Sequence, residues 1–234
     1  GLTPEVAIIL GTLSAVVLGM VIGMLAIRRQ GIYFAMVTLA FAQMVYFAAL
    51  QAPFTGGEDG IQNVPRGDLF GAISMRSDFS LYFVVLAITF GGLLAIYRII
   101  HSPFGQVLKA IRENEPRAIS LGYRVNSYKL TVFVLSATFA GLAGATKAIV
   151  FQLASLTDVY WSMSGEVVLM TLLGGMGTVF GPLVGAAVIV TMQNYLASFG
   201  AWVTIIQGCI FVISVMLFRE GIVGVIAKWI RKPL

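Results

Sequence analysis

Long apolar stretches, each closed by glycine, proline or charge, recur along nearly the whole chain. A polar segment interrupts them near the middle and a mixed tail follows the last. Several runs approach the roughly 20 residues a helix needs to cross about 30 Å of hydrocarbon. They predict crossings at 5–27, 31–52, 80–100, 130–154, 161–178, 182–198 and 201–218. The expected fold class is all-α, a polytopic transmembrane helical bundle of about seven crossings forming one domain, 1–234. Three segments lie outside the bundle: a loop at 53–79, the polar segment 102–128 and a tail at 219–234. Thr3-Pro4-Glu5 opens the first helix, with Thr3 as cap, proline in the first turn and a carboxylate near the positive dipole end. The chain begins with Gly1, and earlier sequence is expected to precede it.

Charge orients the bundle. Arg28 and Arg29 follow the first run. Arg98, Lys109, Arg112, Arg117, Arg124 and Lys129 fill the gap between the third and fourth, and Arg219, Lys228, Arg231 and Lys232 follow the last. The positive-inside bias puts all three groups in the cytoplasm. The 53–79 loop holds Glu58, Asp59, Asp68 and Asp78 against Arg66 and Arg76, so it belongs outside. Lys129 and Arg219 then require an even number of crossings between them. That makes the short, glycine-broken 161–178 run a crossing rather than a re-entrant hairpin. The N-terminus of this chain is expected outside and the C-terminus inside.

Composition agrees: 59% of residues are hydrophobic and 11% charged, against about 25% charged in a soluble domain. The net charge of +5 sits at the ends of apolar runs and reads as topology, not nucleic-acid binding. Cys209 is the single cysteine, which permits no internal disulfide and reads as small core filler.

Small residues recur every fourth position at Gly11, Ala15, Gly19 and Gly23, at Ala137, Gly141 and Ala145, and at Gly177, Gly181 and Gly185. Each row lines one helix face and lets backbones approach closely in lipid. In the tail, Ile222, Val225, Ile226 and Trp229 follow helical spacing beside Lys228, Arg231 and Lys232, the pattern of an amphipathic helix on the inner leaflet.

Energy-converting chemistry is missing from the sequence. Gly174-Gly175-Met176-Gly177-Thr178 lacks the lysine of a phosphate loop, His101 has no ligand set around it, and no nucleophile–base pair is apparent. The chain is therefore expected to be non-catalytic, with no metal site or cofactor of its own. Charges inside crossings are few. Lys147 is expected to snorkel outward, and Glu166 to begin its helix, where the dipole favours a carboxylate. Gln43, Gln152, Gln193, Asn194 and Gln207 either meet a polar solute or join helices, with joining favoured. Thr55-Gly56-Gly57-Glu58-Asp59-Gly60 either gates an outer mouth, contacts an external partner or makes a tight turn.

The segment from Ser102 to Lys129 is too polar for lipid and too rich in helix signals for a slack linker. Ser102-Pro103 starts a helix whose Phe104, Val107, Leu108 and Ile111 form an apolar stripe. Asn114-Glu115-Pro116 breaks and restarts it, and Gly122 caps the second piece. Two short helices meeting at a polar elbow make a protrusion suited to a groove on a soluble partner. The alternative is an ordinary cytoplasmic loop; with a partner contact there and no motor of its own, the membrane body is expected to be a transport subunit driven from outside.

Several stretches together resemble the permeases of branched-chain amino-acid ABC importers, the LivM-like family. They are Gly31 to Gln43, Thr55 to Gly60, Ser102 to Glu115 continuing to Gly122-Tyr123, Ser164-Gly165-Glu166 through Gly174 to Pro182, and Phe218 to Gly224. The resemblance implies a multi-pass inner-membrane permease that moves branched-chain amino acids inward by alternating access. Its implied partners are a second, related permease, two ABC ATPase subunits that bind ATP and Mg, and an extracytoplasmic solute-binding protein. It also implies an E-A-A-x-x-x-G-like coupling helix at Glu115, Ala118, Leu121 and Gly122, with Pro116 and Arg117 departing from the pattern. With Arg112, Glu113, Asn114 and Arg117 these make the ATPase-coupling set. The expected substrate path or gate comprises Gln43, Thr55, Gly56, Gly57, Glu58, Asp59, Glu166, Gly174, Gly175, Gly177 and Thr178. Family members carry further helices before the region matching residue 1. The rival readings are the same machine carrying urea, short amides or aromatic carboxylates, a self-powered carrier or channel, and a membrane enzyme.

Overall fold

A computed structural model describes residues 3–196 apart from 70, 72 and 76, together with nine positions between 205 and 224. It divides into two units, Gly1–Val159 and Tyr160–Leu234. In the first, α1 (Pro4–Ala26) and α2 (Ile32–Gln51) lead into 3₁₀ turns at Pro53–Thr55 and Gly57–Asp59. Short strands β1 (Ile61–Gln62), β2 (Asp68–Leu69) and β3 (Ile73–Ser74) precede α3 (Asp78–Ile100). The elbow is α4 (Pro103–Glu113) and α5 (Glu115–Ser120), followed by α6 (Val125–Phe151) and β4 (Leu153–Ala154). Strand β1 pairs antiparallel with β4, Ile61 opposite Ala154, and β2 with β3, Asp68 opposite Ser74. Thr3 is extended ahead of Pro4, but its hydroxyl makes no capping bond, so proline and the Glu5 carboxylate carry that helix start.

Helices α1, α2, α3 and α6 are long and apolar enough to cross a membrane. At 27 residues, α6 is about 40 Å long and outreaches the hydrocarbon layer. It begins at Val125, earlier than expected, and stops at Phe151, where Gln152 turns left-handed (φ +54°) and β4 takes over.

The rows of small residues explain the main packing seam. Gly11 faces Ala145, Gly141 faces Ala15 and Gly19 faces Ala137, which makes α1 and α6 antiparallel neighbours. A β-carbon on Gly19 would lie 2.5 Å from that of Ala137, and one on Gly11 3.1 Å from that of Ala145. The interhelical spacing is thus set by missing methyl groups, the device helices use where water supplies no hydrophobic drive. Two small cores sit at opposite ends of α6. Met75, Leu81 and Ile149 are buried at its C-terminal end, and Ile111, Ala118 and Val125 at its N-terminal end. Along α2 no described side chain is fully buried.

In the second unit, α7 (Trp161–Gly174) and α8 (Gly181–Leu196) form an antiparallel hairpin. A β-carbon on Gly174 would overlap the Gly181 carbonyl, and one on Gly185 the Met170 carbonyl. The contact row is therefore Gly174, Gly181 and Gly185. It is not the expected Gly177 row, because Gly177 stands in open space. Gly175, at φ +114°, makes the corner where only glycine is comfortable. With 14 residues, α7 runs about 21 Å, shorter than the hydrocarbon layer, while α8 is described as far as Leu196. The expected 161–178 crossing ends at Gly174, four residues early, because the glycine corner stops it. Of the seven expected crossings, four are helices of spanning length and composition. The seventh, at 201–218, and the 219–234 tail with its amphipathic helix lie outside the described residues save isolated positions. One of these, Cys209, is exposed and is not core filler, since nothing described in the chain covers it.

Candidate functional site

The elbow is built, not slack. Ser102 is extended, its hydroxyl accepts from the Gly105 N–H at 3.3 Å, and Gly105 lets α4 turn tightly against the Ile100 carbonyl. The expected apolar stripe turns inward: Ile111 is buried with Ala118 and Val125, Val107 and Tyr128 pack on them, and Phe104 stacks on Tyr128 with centroids 5.5 Å apart. Asn114 ends α4 and caps α5, its side-chain oxygen accepting from the Arg117 N–H at 3.0 Å. At the other end Gly122 adopts φ +87° while the Tyr123 N–H reaches the Ala118 carbonyl at 3.2 Å, closing the helix in a left-handed cap. Six residues are too few for a helix to persist unaided, so α5 owes its order to these caps and to its docking.

The docking includes an ion pair. Lys129 Nζ of α6 donates to Glu115 Oε1 at 2.6 Å, with both side chains less than a third exposed. Gln30 Nε2 approaches the same oxygen at 3.4 Å. Glu115 and buried Ala118 therefore face the body of the protein. Arg112, Glu113, Asn114, Arg117, Leu121 and Gly122 stay exposed. The eight coupling residues thus form one structural element, but the glutamate is a tether to α6, not an outward contact. Beside the polar groups the elbow exposes apolar surface, Ile119 at 57% and Leu121 at 70%.

At the other end of α6, the Thr55–Gly60 motif makes a turn. Thr55 Oγ1 donates to the Ala49 and Ala52 carbonyls at 2.5 and 2.6 Å, ending α2. Gly56, Gly57 and Gly60 all have positive φ, and a side chain on Gly60 would collide with Ala154. Glu58 and Asp59 are exposed. The loop is strapped to α6 by β1–β4 pairing and by Arg66, whose Nε and Nη2 donate to the Ile149 and Val150 carbonyls at 3.4 and 2.5 Å. A cation on terminal helix carbonyls also suits the negative dipole end. Arg66 Nη1 holds Asp78 at 3.1 Å. Lys147 does not simply snorkel; it pairs with Asp158 at 2.7 Å.

Gln43 is half-buried midway along α2. In the second unit Glu166 lies in the second turn of α7, not at its start, because the helix begins at Trp161. Its carboxylate accepts from Gln193 Nε2 on α8, so this glutamine joins helices, as favoured. Gly174 and Gly175 form the seam and corner, and Gly177 and Thr178 occupy the turn before α8. Thr178 Oγ1 donates to the Gly175 carbonyl at 3.3 Å.

Sequence reasoning missed Lys129 and Arg66 as structural partners. Lys129 was one basic residue among several around the elbow, and nothing local singles it out. Arg66 finds its carbonyls more than eighty positions away, a separation that no local pattern encodes.

A family model described as "Branched-chain amino acid transport system / permease component" matches residues 1–215. The chain is 30% identical over 227 residues to the high-affinity branched-chain amino acid transport system permease protein LivM of Salmonella typhimurium, covering 87% of this chain and 53% of that protein. Against the LivM of Escherichia coli it is 30% identical over 233 residues, with 90% and 55% covered. It is also 28% identical over 240 residues to the ribose import permease protein RbsC of Bacillus subtilis, covering 94% of this chain and 70% of that one. The chain thus spans about half the length of both LivM proteins. No solved structure matches.

Proposed function

Because the chain belongs to the family of branched-chain amino acid transport permease components, we propose that it is the membrane-spanning subunit of an ATP-binding-cassette importer. Its cargo is branched-chain amino acids, moved into the cytoplasm across the inner membrane. Two ATPase subunits, which bind ATP and Mg, dock on the elbow. A second, related permease completes the pathway, and a solute-binding protein delivers cargo on the opposite side. The N-terminus of this chain faces out and the C-terminus faces the cytoplasm.

The observation that carries this reading is the elbow itself, a capped and docked pair of short helices presenting Arg112, Glu113, Arg117, Ile119 and Leu121 outward. A partner that pushes on it displaces α6, because Glu115–Lys129 and the Ile111–Ala118–Val125 core fasten the two together. The far end of α6 carries the Arg66 strap and the outer loop. One stiff rod of about 40 Å therefore links the two faces, and it slides on α1 along a seam of small residues. The ATPase cycle shifts the permease only through different affinities for its inward- and outward-open states. Cargo specificity then rests largely with the binding protein, and Gln43, the outer loop and the α7–α8 turn remain the path candidates.

A second reading changes only the cargo. The likeness to a ribose import permease over 94% of the chain favours a pentose. Proteoliposomes holding the copurified assembly and its binding protein decide between them. ATP-dependent accumulation of labelled leucine, competed by isoleucine and valine but not by ribose, urea or aromatic carboxylates, is the expected result. Ribose uptake without leucine uptake would replace the cargo, and uptake persisting without ATPase subunits would overturn the powered-permease reading.

A further inference from the structure

A cleft of about 580 Å³ opens between the α1–α2 connection, α5 and the first turns of α6. Its lining is of two kinds: charged and polar Arg29, Gln30, Glu115 and Lys129, and apolar Phe34, Val132 and Phe133, which follow them along α2 and α6. Phe34 and Phe133 meet edge to face with centroids 6.2 Å apart and make an aromatic wall. From Lys129 to Ser136, the last lining residue along α6, the helix advances about 10 Å.

The charge of the lining is not balanced. Glu115 is the one carboxylate in it and is taken by Lys129 at 2.6 Å. Arg29 and its neighbour Arg28 are exposed and have no carboxylate partner among the described residues.

We propose that this cleft is a binding site for an anionic phospholipid, its headgroup phosphate held by Arg29 and one acyl chain laid along Phe34, Val132 and Phe133. Surplus cationic charge in the lining selects the anionic headgroup, and the apolar part selects a lipid over free phosphate. The bound lipid touches the α1–α2 connection, α2, α5 and α6 at once and lies beside the Glu115–Lys129 tether. The site is independent of the cargo.

Native mass spectrometry of the delipidated full chain in its assembly, titrated with phosphatidylglycerol or phosphatidylcholine, tests this. The wild type should retain phosphatidylglycerol in preference to phosphatidylcholine. Arg29→Gln should weaken that retention about fivefold, the worth of one basic residue near an anionic surface. Lys109→Gln, an equal charge change at an exposed site on α4 away from the cleft, should leave it intact. Equal retention of both lipids, or equal losses in the two variants, would overturn the site. Displacement of the lipid by millimolar leucine would reassign the cleft to cargo, and retention of inorganic phosphate as well as the lipid would remove the acyl-chain component. None of these outcomes depends on whether the assembly transports leucine.

Discussion

Glu115→Gln separates an elbow that is tethered from one that merely lies nearby. The substitution keeps the side chain's size and removes the charge that holds Lys129 at 2.6 Å. Exposed ion pairs contribute about 0.2–1 kcal/mol, and breaking a fully buried pair costs about 3–5 kcal/mol. At 30% and 26% side-chain exposure this pair lies between, so the loss should be about 1–2 kcal/mol, a roughly 5–30-fold rise in the open population of α5. The reporters are the amides of Leu121, Gly122 and Tyr123, which donate to the Arg117, Ile119 and Ala118 carbonyls. Their hydrogen exchange should accelerate by that factor in Glu115→Gln and in Lys129→Met. The double variant should exchange no faster than the worse single one, because each change breaks the same contact. Unchanged exchange in Glu115→Gln, or additive effects in the double variant, would refute the tether.

Other expectations address the remaining parts of the rod. Arg66→Ala should cost about 1.5–3 kcal/mol of loop docking, the worth of hydrogen bonds to a charged group, seen as faster exchange at Val64 with the elbow amides unchanged; equal acceleration at both ends would contradict two separate fastenings. Gly141→Val should force α1 from α6 and cost about 1–3 kcal/mol of overpacking, lowering the detergent-denaturation midpoint, whereas the same change at Gly144, which faces open space, should not. In a Cys209→Ser background, Glu166→Cys with Gln193→Cys should oxidise readily to a disulfide across the α7–α8 hairpin; failure to crosslink would contradict the antiparallel pairing.

The fold was legible where local chemistry decides it. Apolar run length located α1, α2, α3 and α6, and the fourfold spacing of Gly11, Ala15, Gly19 and Gly23 marked a close helix contact without naming the partner. The elbow was legible because Ser102, Pro103, Asn114, Pro116 and Gly122 are local stop and start signals whose caps form within a few residues. Orientation of the charged groups was not. Glu115 reads as an outward contact until α6 folds back beside it, and the favoured start at Glu166 yields to a helix begun one turn earlier, at Trp161. The α7–α8 corner shows the same limit. A glycine run signals a bend, but only the facing Gly181 and Met170 carbonyls decide which glycine lies in the seam.

The central claim is that the elbow receives work from a nucleotide-hydrolysing neighbour. A photo-crosslinking residue at Leu121, 70% exposed at the elbow tip, introduced into the intact assembly, measures this directly. The account predicts a covalent adduct with the ATPase subunit whose yield changes when ATP is added, and none from the same probe at Gly57, in the loop at the far end of α6. Capture of the ATPase from Gly57 but not from Leu121 would contradict it.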